Sequence, residues 1–327
     1  MTDMHKSFKT DCAQASVVYF TKEISPAALM KLYQKLGRPA QGRVAAKLST
    51  GEAGNENYLK PTLIKDLVQS VKATIVECNT AYAGARNTTE AHKQLIKDHG
   101  FAAIAPVDIM DSEGVEHLPV NGGTHLKEDI VGDHVKNYDF MMVLTHFKGH
   151  PMGGFGGALK NIAIGVASSD GKANIHTAGA MQTQGWQTAE DGRFMKLTGP
   201  DHDAFIESMA EAAKSVSDFF GEGEKMLYIS VMNNMSVDCD CVSHPAEVDM
   251  KDIGVLASLN PVALDQACVD LVYEAPDGHS LIERIESRNG ERILEHAEKI
   301  GFGDRRYVLI TKFLQASQDI LLRGFAL

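Results

Sequence analysis

The chain lacks the features that would place it quickly in several classes of protein. Its 327 residues carry a formal net charge of −11, from 32 basic and 43 acidic side chains, and lysine and arginine do not cluster. Such an acidic surface repels a phosphate backbone, so we expect no nucleic-acid partner. No apolar run approaches the roughly 20 residues of a membrane helix, and residues 1–20 have no signal-peptide core. We therefore expect no membrane partner either.

Cysteine is also scarce. The chain has 5 cysteines, an odd number that does not indicate a disulfide framework, and reduced thiols favour a cytoplasmic protein. Internal repeats and low-complexity segments are missing. What remains is the composition of an ordinary globular protein, with 44% hydrophobic and 23% charged residues. The length allows one large domain or two ordinary ones.

Short apolar runs alternate with helical patterns along the chain, which is typical of βα units. The pattern predicts strands at residues 16–20, 43–48, 74–78, 102–106, 140–145, 226–232, 255–258 and 307–310. It predicts helices at residues 26–36, 61–72, 89–99, 202–220, 261–272 and 280–299. Several strands are apolar on both sides, as buried parallel strands are. We expect an α/β fold with a mainly parallel sheet flanked by helices.

A stretch rich in Gly, Thr and Gln runs from Asn174 to Asp201 and contains the single Trp186. A loop of this length is typical of a functional segment or a domain junction. We therefore predict a boundary near Gly199. An N-terminal α/β domain would cover residues 14–199, and a second, smaller C-terminal α/β region would cover residues 200–327.

The densest cluster of polar groups follows the predicted strand that ends at Thr145. His146, Lys148 and His150 come directly after it, where parallel strands of α/β folds place their ligands. Histidine titrates near neutral pH, so His146 or His150 could serve as a general acid or base. Lys148 could neutralise an anion. We take these three as candidate catalytic residues.

Glycines precede the next predicted helix, and they are Gly153, Gly154, Gly156 and Gly157. Glycines before a helix let backbone N–H groups approach an anion, and Lys160 on the helix would add charge. The spacing matches neither a P-loop nor a dinucleotide fingerprint. A tight strand-to-helix turn would explain the same glycines.

A second cluster is Asp238-Cys239-Asp240-Cys241, with His244 nearby. Two thiolates at this spacing can bind one soft metal ion, completed by a histidine or a carboxylate. The alternative is a turn in which aspartate side chains cap backbone amides. Cys12, Cys78 and Cys268 stand alone and have the pattern of buried small apolar residues.

A third group of polar residues lies at or after two earlier strands. Lys47 ends one strand, and Asn79, Thr80 and Arg86 follow the next. The carboxyl ends of parallel strands meet at one rim of the sheet, so we expect these residues to bind a cofactor there with the His150 segment. A solvated network of ion pairs is the alternative explanation.

Several long motifs resemble the domain of unknown function 362 family, whose members are often labelled uncharacterised Fe–S centre proteins. They are KLSTGEAGNENYLKP, CNTAYAGARNTTEAH, THFKGHPMGGFGGALKNIAIG, GKANIH, DCDC and DIGVLASLNPVALDQA, and the resemblance runs from Val17 to about Leu309. The label comes from a ferredoxin-like module that many members carry between the GKANIH-like and DCDC-like motifs. Residues 177–235 of this chain contain no cysteine. We therefore expect no iron–sulfur cluster.

The segment from His150 to His176 is also similar to the site segment of the nickel-pincer lactate racemases. That resemblance implies an acid/base role for His150, covalent attachment of a cofactor to Lys160, and metal ligation by His176. From the sequence alone, His176 is a histidine in a predicted loop. The racemases' Asp-x-Thr-Arg phosphate motif is replaced here by CNTAYAGAR. The resemblance implies a shared fold and leaves the cofactor open.

Two functions are compatible with the sequence. The first is an enzyme that binds a transition metal (nickel, iron or zinc) or a phosphorylated organic cofactor and acts on a small polar molecule. The second is a non-catalytic redox or metal-handling accessory protein that uses Cys239 and Cys241.

Overall fold

The computed structural model describes residues 5–180 and 202–311. Its strands are β1 (Ser16–Thr21), β2 (Val44–Lys47), β3 (Thr74–Glu77), β4 (Val107–Ile109), β5 (Val115–Pro119), β6 (Glu128–Gly132), β7 (Phe140–His146), β8 (Lys148–His150), β9 (Gly154–Gly156), β10 (Met226–Met232), β11 (Gly254–Ser258) and β12 (Tyr307–Ile310). Its helices are α1 (Pro26–Leu36), α2 (Pro61–Ser70), α3 (Thr89–Asp98), α4 (Ala158–Val166), α5 (Ser169–His176), α6 (His202–Phe219), α7 (Pro261–Glu274), α8 (His279–Ser287) and α9 (Arg292–Lys299).

An eight-stranded sheet forms the centre of the fold, in the order β12-β1-β11-β10-β7-β2-β3-β4. Its pairings are parallel except for β1–β11 and β10–β11. Two short hairpins, β5–β6 and β8–β9, lie outside it. The α/β fold with a mainly parallel sheet is thus confirmed.

Side chains of the central strand β7 alternate between two apolar cores, one on each face of the sheet. Met141 and Val143 belong to the core that α4, α6, α7, α8 and α9 cover, and Met142 and Leu144 belong to the core under α1, α2 and α3. All seven residues of β7 are buried. Coverage of both faces explains why the strands are apolar on both sides rather than alternating.

The helix starts follow from local sequence. Proline stands at the first turn of α1, α2 and α7, where the missing N–H is harmless. The side chains of Ser25, Thr88 and Asn260 accept hydrogen bonds from the first amides of α1, α3 and α7. Gly37 ends α1 with φ of 65°, a conformation that glycine adopts without strain.

Three local predictions are wrong. The strand predicted at residues 102–106 is a 3-10 turn, Phe101–Ala103, followed by β4, because a short apolar run fits either structure. The helix predicted at residues 280–299 is broken into α8 and α9 at Asn289 and Gly290. A Cβ on Gly290 would lie 3.1 Å from the Gly153 oxygen, so the chain turns there against the β8–β9 hairpin. The loop predicted before His176 is helix α5, capped by Ser168.

The predicted boundary near Gly199 lies outside the described residues. Strands from both sides of it share the central sheet, since β10 pairs with β7 and β11 pairs with β1. The division into residues 14–199 and 200–327 therefore stays a prediction, and the described strands of both parts are hydrogen-bonded into one sheet. Among the described helices, none is long and apolar enough to cross a bilayer.

The N-terminal segment is held against α7 and α9 by a polar network. The two ring nitrogens of His5 lie 2.9 Å from an Asp270 carboxylate oxygen and 3.1 Å from a Glu291 oxygen. Ser7 Oγ and the Phe8 amide both donate to Asp270 Oδ2. Burial disfavours the charged ring, but the hydrogen bonds to both carboxylates outweigh it and raise the pKa of His5 from 6.5 to about 9.

We predict that this network stabilises the fold in a pH-dependent way. The folded pKa of His5 lies above the unfolded one, so its contribution is complete below about pH 6.5 and is lost as pH rises through about 9. Denaturant titration of the wild type and His5→Ala should give a difference in unfolding free energy that is larger at pH 6 than at pH 10. A difference that does not change with pH would contradict this assignment.

Candidate functional site

Loops at the carboxyl ends of β2, β3 and β7 surround a cavity of about 260 Å³. Eight of the residues singled out from the sequence line it: Lys47, Thr80, Arg86, His150, Lys160, His176, Cys239 and Cys241. The prediction that the groups after β2 and β7 share one rim is confirmed. So is the expectation that His150, Lys160 and His176 face one pocket.

The two cysteines of the C-x-C motif meet His150 at one wall of the cavity. Ligand atoms of Cys239, Cys241 and His150 all lie within 4.8 Å of one another. Lys160 Nζ lies 3.7 Å from Cys239 Sγ. A hydrogen bond from the Cys241 thiol, helped by the charges of Lys160 and Lys148, holds the pKa of Cys239 well below its usual value. The same bond raises the pKa of Cys241, so the pair is one thiolate and one thiol.

The ring of His150 is held by backbone hydrogen bonds. Its Nδ1 accepts from the Gly153 amide at 2.8 Å and from the Met152 amide at 3.2 Å. Burial, together with the charge of Lys160, lowers the pKa of His150 well below 6.5, so the ring is neutral. Since Nδ1 is an acceptor, the proton of the neutral ring is on Nε2.

His176 has the opposite tautomer. Its Nδ1 lies 2.6 Å from the Lys172 carbonyl oxygen and must donate to it, which leaves the lone pair of the neutral ring on Nε2. Burial lowers the pKa of His176 to about 4, and the ring stacks on Phe205 with centroids 4.8 Å apart. A histidine that donates Nδ1–H to a carbonyl has the arrangement usual for a metal ligand.

Asp240 lies between the two cysteines and is bound by the last residue of β7 and the first residue of β8. His146 Nδ1 lies 2.7 Å from Asp240 Oδ1, and Lys148 Nζ lies 2.8 Å from Asp240 Oδ2. Burial opposes the charge of Lys148, yet Asp240 outweighs it and raises the lysine's pKa. The second ring nitrogen of His146 faces the Asn233 carbonyl oxygen.

Two predicted catalytic residues are therefore not in the cavity. His146 and Lys148 do not line it, and their polar atoms are engaged by Asp240 and by backbone carbonyls. The structure corrects their predicted placement: they support the C-x-C loop from behind. The expected approach of Asp240 to the segment before α4 is confirmed. A Cβ on Gly156 would lie 3.3 Å from Lys148 Cε, and Lys148 binds Asp240.

The four glycines also lie outside the cavity, contrary to the prediction of an anion cradle. The free amides of Ala158 and Leu159, at the start of α4, donate to the carboxylate of Asp265 at 2.7 and 2.9 Å. A Cβ on Gly157 would overlap this carboxylate. The amides at the helix N-terminus are thus already occupied by a carboxyl group from within the chain, and burial raises the pKa of that group to about 7.

The other three glycines allow close packing of the β8–β9 hairpin. A Cβ on Gly154 would lie 2.8 Å from Gly290 Cα, and one on Gly153 would lie 3.2 Å from Met209 Cε. Gly154 also has φ of 78°, which favours glycine. Together with Gly156 against Lys148, these contacts support the tight-turn alternative.

The cavity is also lined by residues of buried ion pairs. Lys47 Nζ lies 3.3 Å from Glu77 and donates to Asn161 Oδ1 at 3.2 Å. Arg86 lies 3.3 Å from Glu52 and 3.7 Å from Glu77. Although burial opposes its charge, Glu77 has its pKa lowered to about 2 by these two cations. The ion-pair network and the predicted rim position are therefore both present.

Asn79 takes no direct part in the cavity. Its side-chain Nδ2 donates to Thr89 Oγ1, and its side-chain Oδ1 faces His92 at the start of α3. Several cavity residues were not candidates for the site from the sequence, among them Cys78, whose thiol donates to the Val166 carbonyl. Tyr82, which like Thr80 follows β3, also lines the cavity and donates to Glu52. Lys172 lies in the stretch predicted as a loop, where no pattern marked its direction.

Comparison with known proteins identifies the family to which the chain belongs. A family model described as domain of unknown function (DUF362) matches residues 44–270. The chain belongs to this family, as its motifs predicted. No curated protein matches the chain.

Two solved structures are similar at low sequence identity. One is the lactate racemase apoprotein from Thermoanaerobacterium thermosaccharolyticum, with 13% identity, a TM-score of 0.43, and coverage of 80% of this chain and 59% of that one. The other is a protein from Thermotoga maritima, with 13% identity, a TM-score of 0.37, and coverage of 84% and 58%. The chain thus spans about three fifths of the length of these proteins.

The donor set does not suit the four-thiolate cluster that the family's Fe–S label implies. Only Cys78, Cys239 and Cys241 line the cavity, and the Cys78 thiol donates to a carbonyl, with a pKa that burial raises. Four sulfur ligands are the usual requirement. The expectation that no iron–sulfur cluster is bound stays a prediction.

We predict that Asp240→Ala is strongly destabilising. It leaves Lys148 buried without its carboxylate, and breaking such a pair costs about 3–5 kcal/mol. Chemical denaturation measures the change in unfolding free energy. Asp66→Ala, on the exposed side of α2, also removes a carboxylate and should change the free energy of unfolding by less than about 0.5 kcal/mol. Similar values for the two variants would show that the Asp240 cluster is not needed for folding.

Proposed function

We propose that this protein is an enzyme that binds one soft transition-metal ion through Cys239 and Cys241, with His150 beside them, and acts on a small polar molecule in the adjoining cavity. The observation that carries the proposal is the group of three ligand atoms within 4.8 Å of one another at the cavity wall. Thiolate and imidazole ligands select zinc, nickel, iron or copper over magnesium and calcium.

The surroundings of the two sulfurs suit a metal site. Their loop is held by buried contacts: Asp240 binds Lys148 and His146, and the Glu52 amide donates to the Asp240 carbonyl at 2.8 Å. A loop fixed in this way keeps the two sulfurs together before the ion arrives, which favours binding. Lys160 offsets thiolate charge in the metal-free protein.

The two histidines would contribute differently. His150 is close to the sulfurs, but its Nε2 carries the proton, so ligation through Nε2 requires loss of that proton. His176 has the tautomer of a ligand but is not among the three clustered atoms. We therefore propose Cys239 and Cys241 as the principal ligands, with a histidine completing the set. When bound, the ion would act as a Lewis acid toward an oxygen of the ligand.

The cavity favours an enzyme over a metal-handling accessory protein. The sulfur pair opens into a pocket that Lys47, Arg86 and His176 also line. These side chains could orient a small polar molecule beside the ion, which a protein that only passes metal to a partner does not need. A phosphorylated organic cofactor is less well supported, since Asp265 occupies the start of α4.

Titration of metal-free protein with Co²⁺ tests the proposal. We expect one equivalent to bind and to give the near-ultraviolet absorption of thiolate-to-cobalt charge transfer. Cys239→Ser and Cys241→Ser should each weaken binding at least tenfold, because each removes one of two soft ligands. His150→Ala should weaken it less.

Cys12→Ser is the matched control, since Cys12 lies outside the cavity and should leave the titration unchanged. A wild-type protein that binds no Co²⁺, or binds it without charge-transfer absorption, would rule out the thiolate site.

A further inference from the structure

The cations around the cavity are not all balanced by acidic groups of the chain. Four cationic side chains line it: Lys47, Arg86, Lys160 and Lys172. The first two face Glu77 and Glu52 across buried ion pairs. Lys160 faces the thiolate of Cys239, which would be a ligand of the proposed metal ion. The remaining question of charge in the cavity is therefore what neutralises Lys172.

Lys172 is 7% exposed, and its ammonium group donates to the Ala167 carbonyl oxygen. Within the described residues, no carboxylate oxygen lies at ion-pair distance from it. Asp129 is influenced by its charge, but it accepts a hydrogen bond from Ser215 at 2.9 Å and makes no ion pair with Lys172 within the described residues. Burial raises the pKa of Asp129 to about 7, so that carboxyl is only partly ionised at neutral pH. A buried charge without a partner is costly unless something else supplies the opposite charge.

The position of Lys172 on its helix adds to this cost. It is in the first turns of α5, and its bond to Ala167 carries the ammonium back past Ser168, the residue that caps the helix. The amino end of a helix repels cations and attracts anions. Asp111 accepts a hydrogen bond from the first amide of α5 at 3.3 Å, but within the described residues it makes no ion pair with Lys172. An ammonium inside a cavity without an ion pair indicates a site that an anion completes.

Lys160 approaches the same region from α4. Burial is the main reason for the low pKa of His176, and the charges of both Lys160 and Lys172 lower it further, so both ammonium groups act on one ring. Lys160, Lys172, His176 and Ile164 all line the cavity. Its volume of about 260 Å³ leaves room for a compact ligand only.

We propose that Lys172 and Lys160 together bind a compact dianion, either a small dicarboxylate or a phosphate group, in this cavity. The site deepens the proposed function, because the anion would lie in the cavity onto which the metal ligands open. The metal is not needed for the anion to bind. With the ion on both sulfurs, Lys160 is released from the thiolate and can face the anion fully.

Isothermal titration of the full chain with oxalate and with inorganic phosphate tests the site, and acetamide serves as the neutral probe. The wild type should bind one equivalent of at least one dianion and no acetamide. Lys172→Met should weaken binding at least tenfold, and Lys172→Arg should restore most of it. Lys93→Met, on the exposed side of α3, removes the same charge and should bind as the wild type does. Stronger binding of oxalate identifies a carboxylate site, and stronger binding of phosphate identifies a phosphate site.

The inference is overturned if the wild type binds neither dianion, or if Lys172→Met binds it as tightly as the wild type. Should Lys172→Met fail to fold, Lys160→Met takes its place, with the same loss expected. Cys239→Ser separates the two proposals. If it retains dianion binding and the wild type binds no Co²⁺, the anion site stands and the metal site falls. If the wild type binds Co²⁺ through Cys239 but binds no dianion, the metal site stands and the anion site falls.

Discussion

The buried carboxylate of Asp240 connects the parts of the molecule on which the site depends. It lies between Cys239 and Cys241 and binds Lys148 and His146, which follow the central strand β7. Three ionisable groups without access to water are stable only while each has its partner. The position of the sulfur pair is thereby fixed relative to the centre of the sheet.

Close packing of backbone has a similar effect at the β8–β9 hairpin. Gly154 lies against Gly290, and Gly149 lies so close to the Val237 backbone that a Cβ there would overlap it. These approaches hold the segment between β7 and α4 against α8 and the chain before the C-x-C motif. His150 keeps its orientation through two amides of the same hairpin. Glycine at these positions therefore serves the shape of the cavity wall without touching a ligand.

Charge in and around the cavity is arranged in two ways. Lys47 and Arg86 are neutralised by Glu77 and Glu52, and such paired groups give rigidity. Lys160 instead has a thiolate for a partner, and Lys172 has a carbonyl oxygen. Cations with weak partners keep the capacity to bind something else. The chain is acidic as a whole, so an anion would be attracted only by this local excess of positive charge.

The sequence by itself determined the fold class and the location of the site. Apolar strands with no alternation indicated a sheet covered on both faces, and polar residues after Lys47 and Thr145 indicated one rim, because parallel strands end on the same side. Family membership followed from long motifs. These inferences succeeded since they depend on periodicity and chain direction, which are local properties.

Only the tertiary structure decided which polar residues face the cavity. In the sequence, His146, Lys148 and His150 are equally good candidates for the cavity. The structure shows that His146 and Lys148 bind the carboxylate of Asp240, more than ninety residues away. The Gly157 turn has the sequence of an anion cradle, and its occupation by Asp265 could not be foreseen because that residue is equally remote in sequence. Lys172 gave no signal at all, because its importance rests on the lack of a nearby carboxylate in the described structure. Long-range partners, present or missing, are set by packing and not by local pattern.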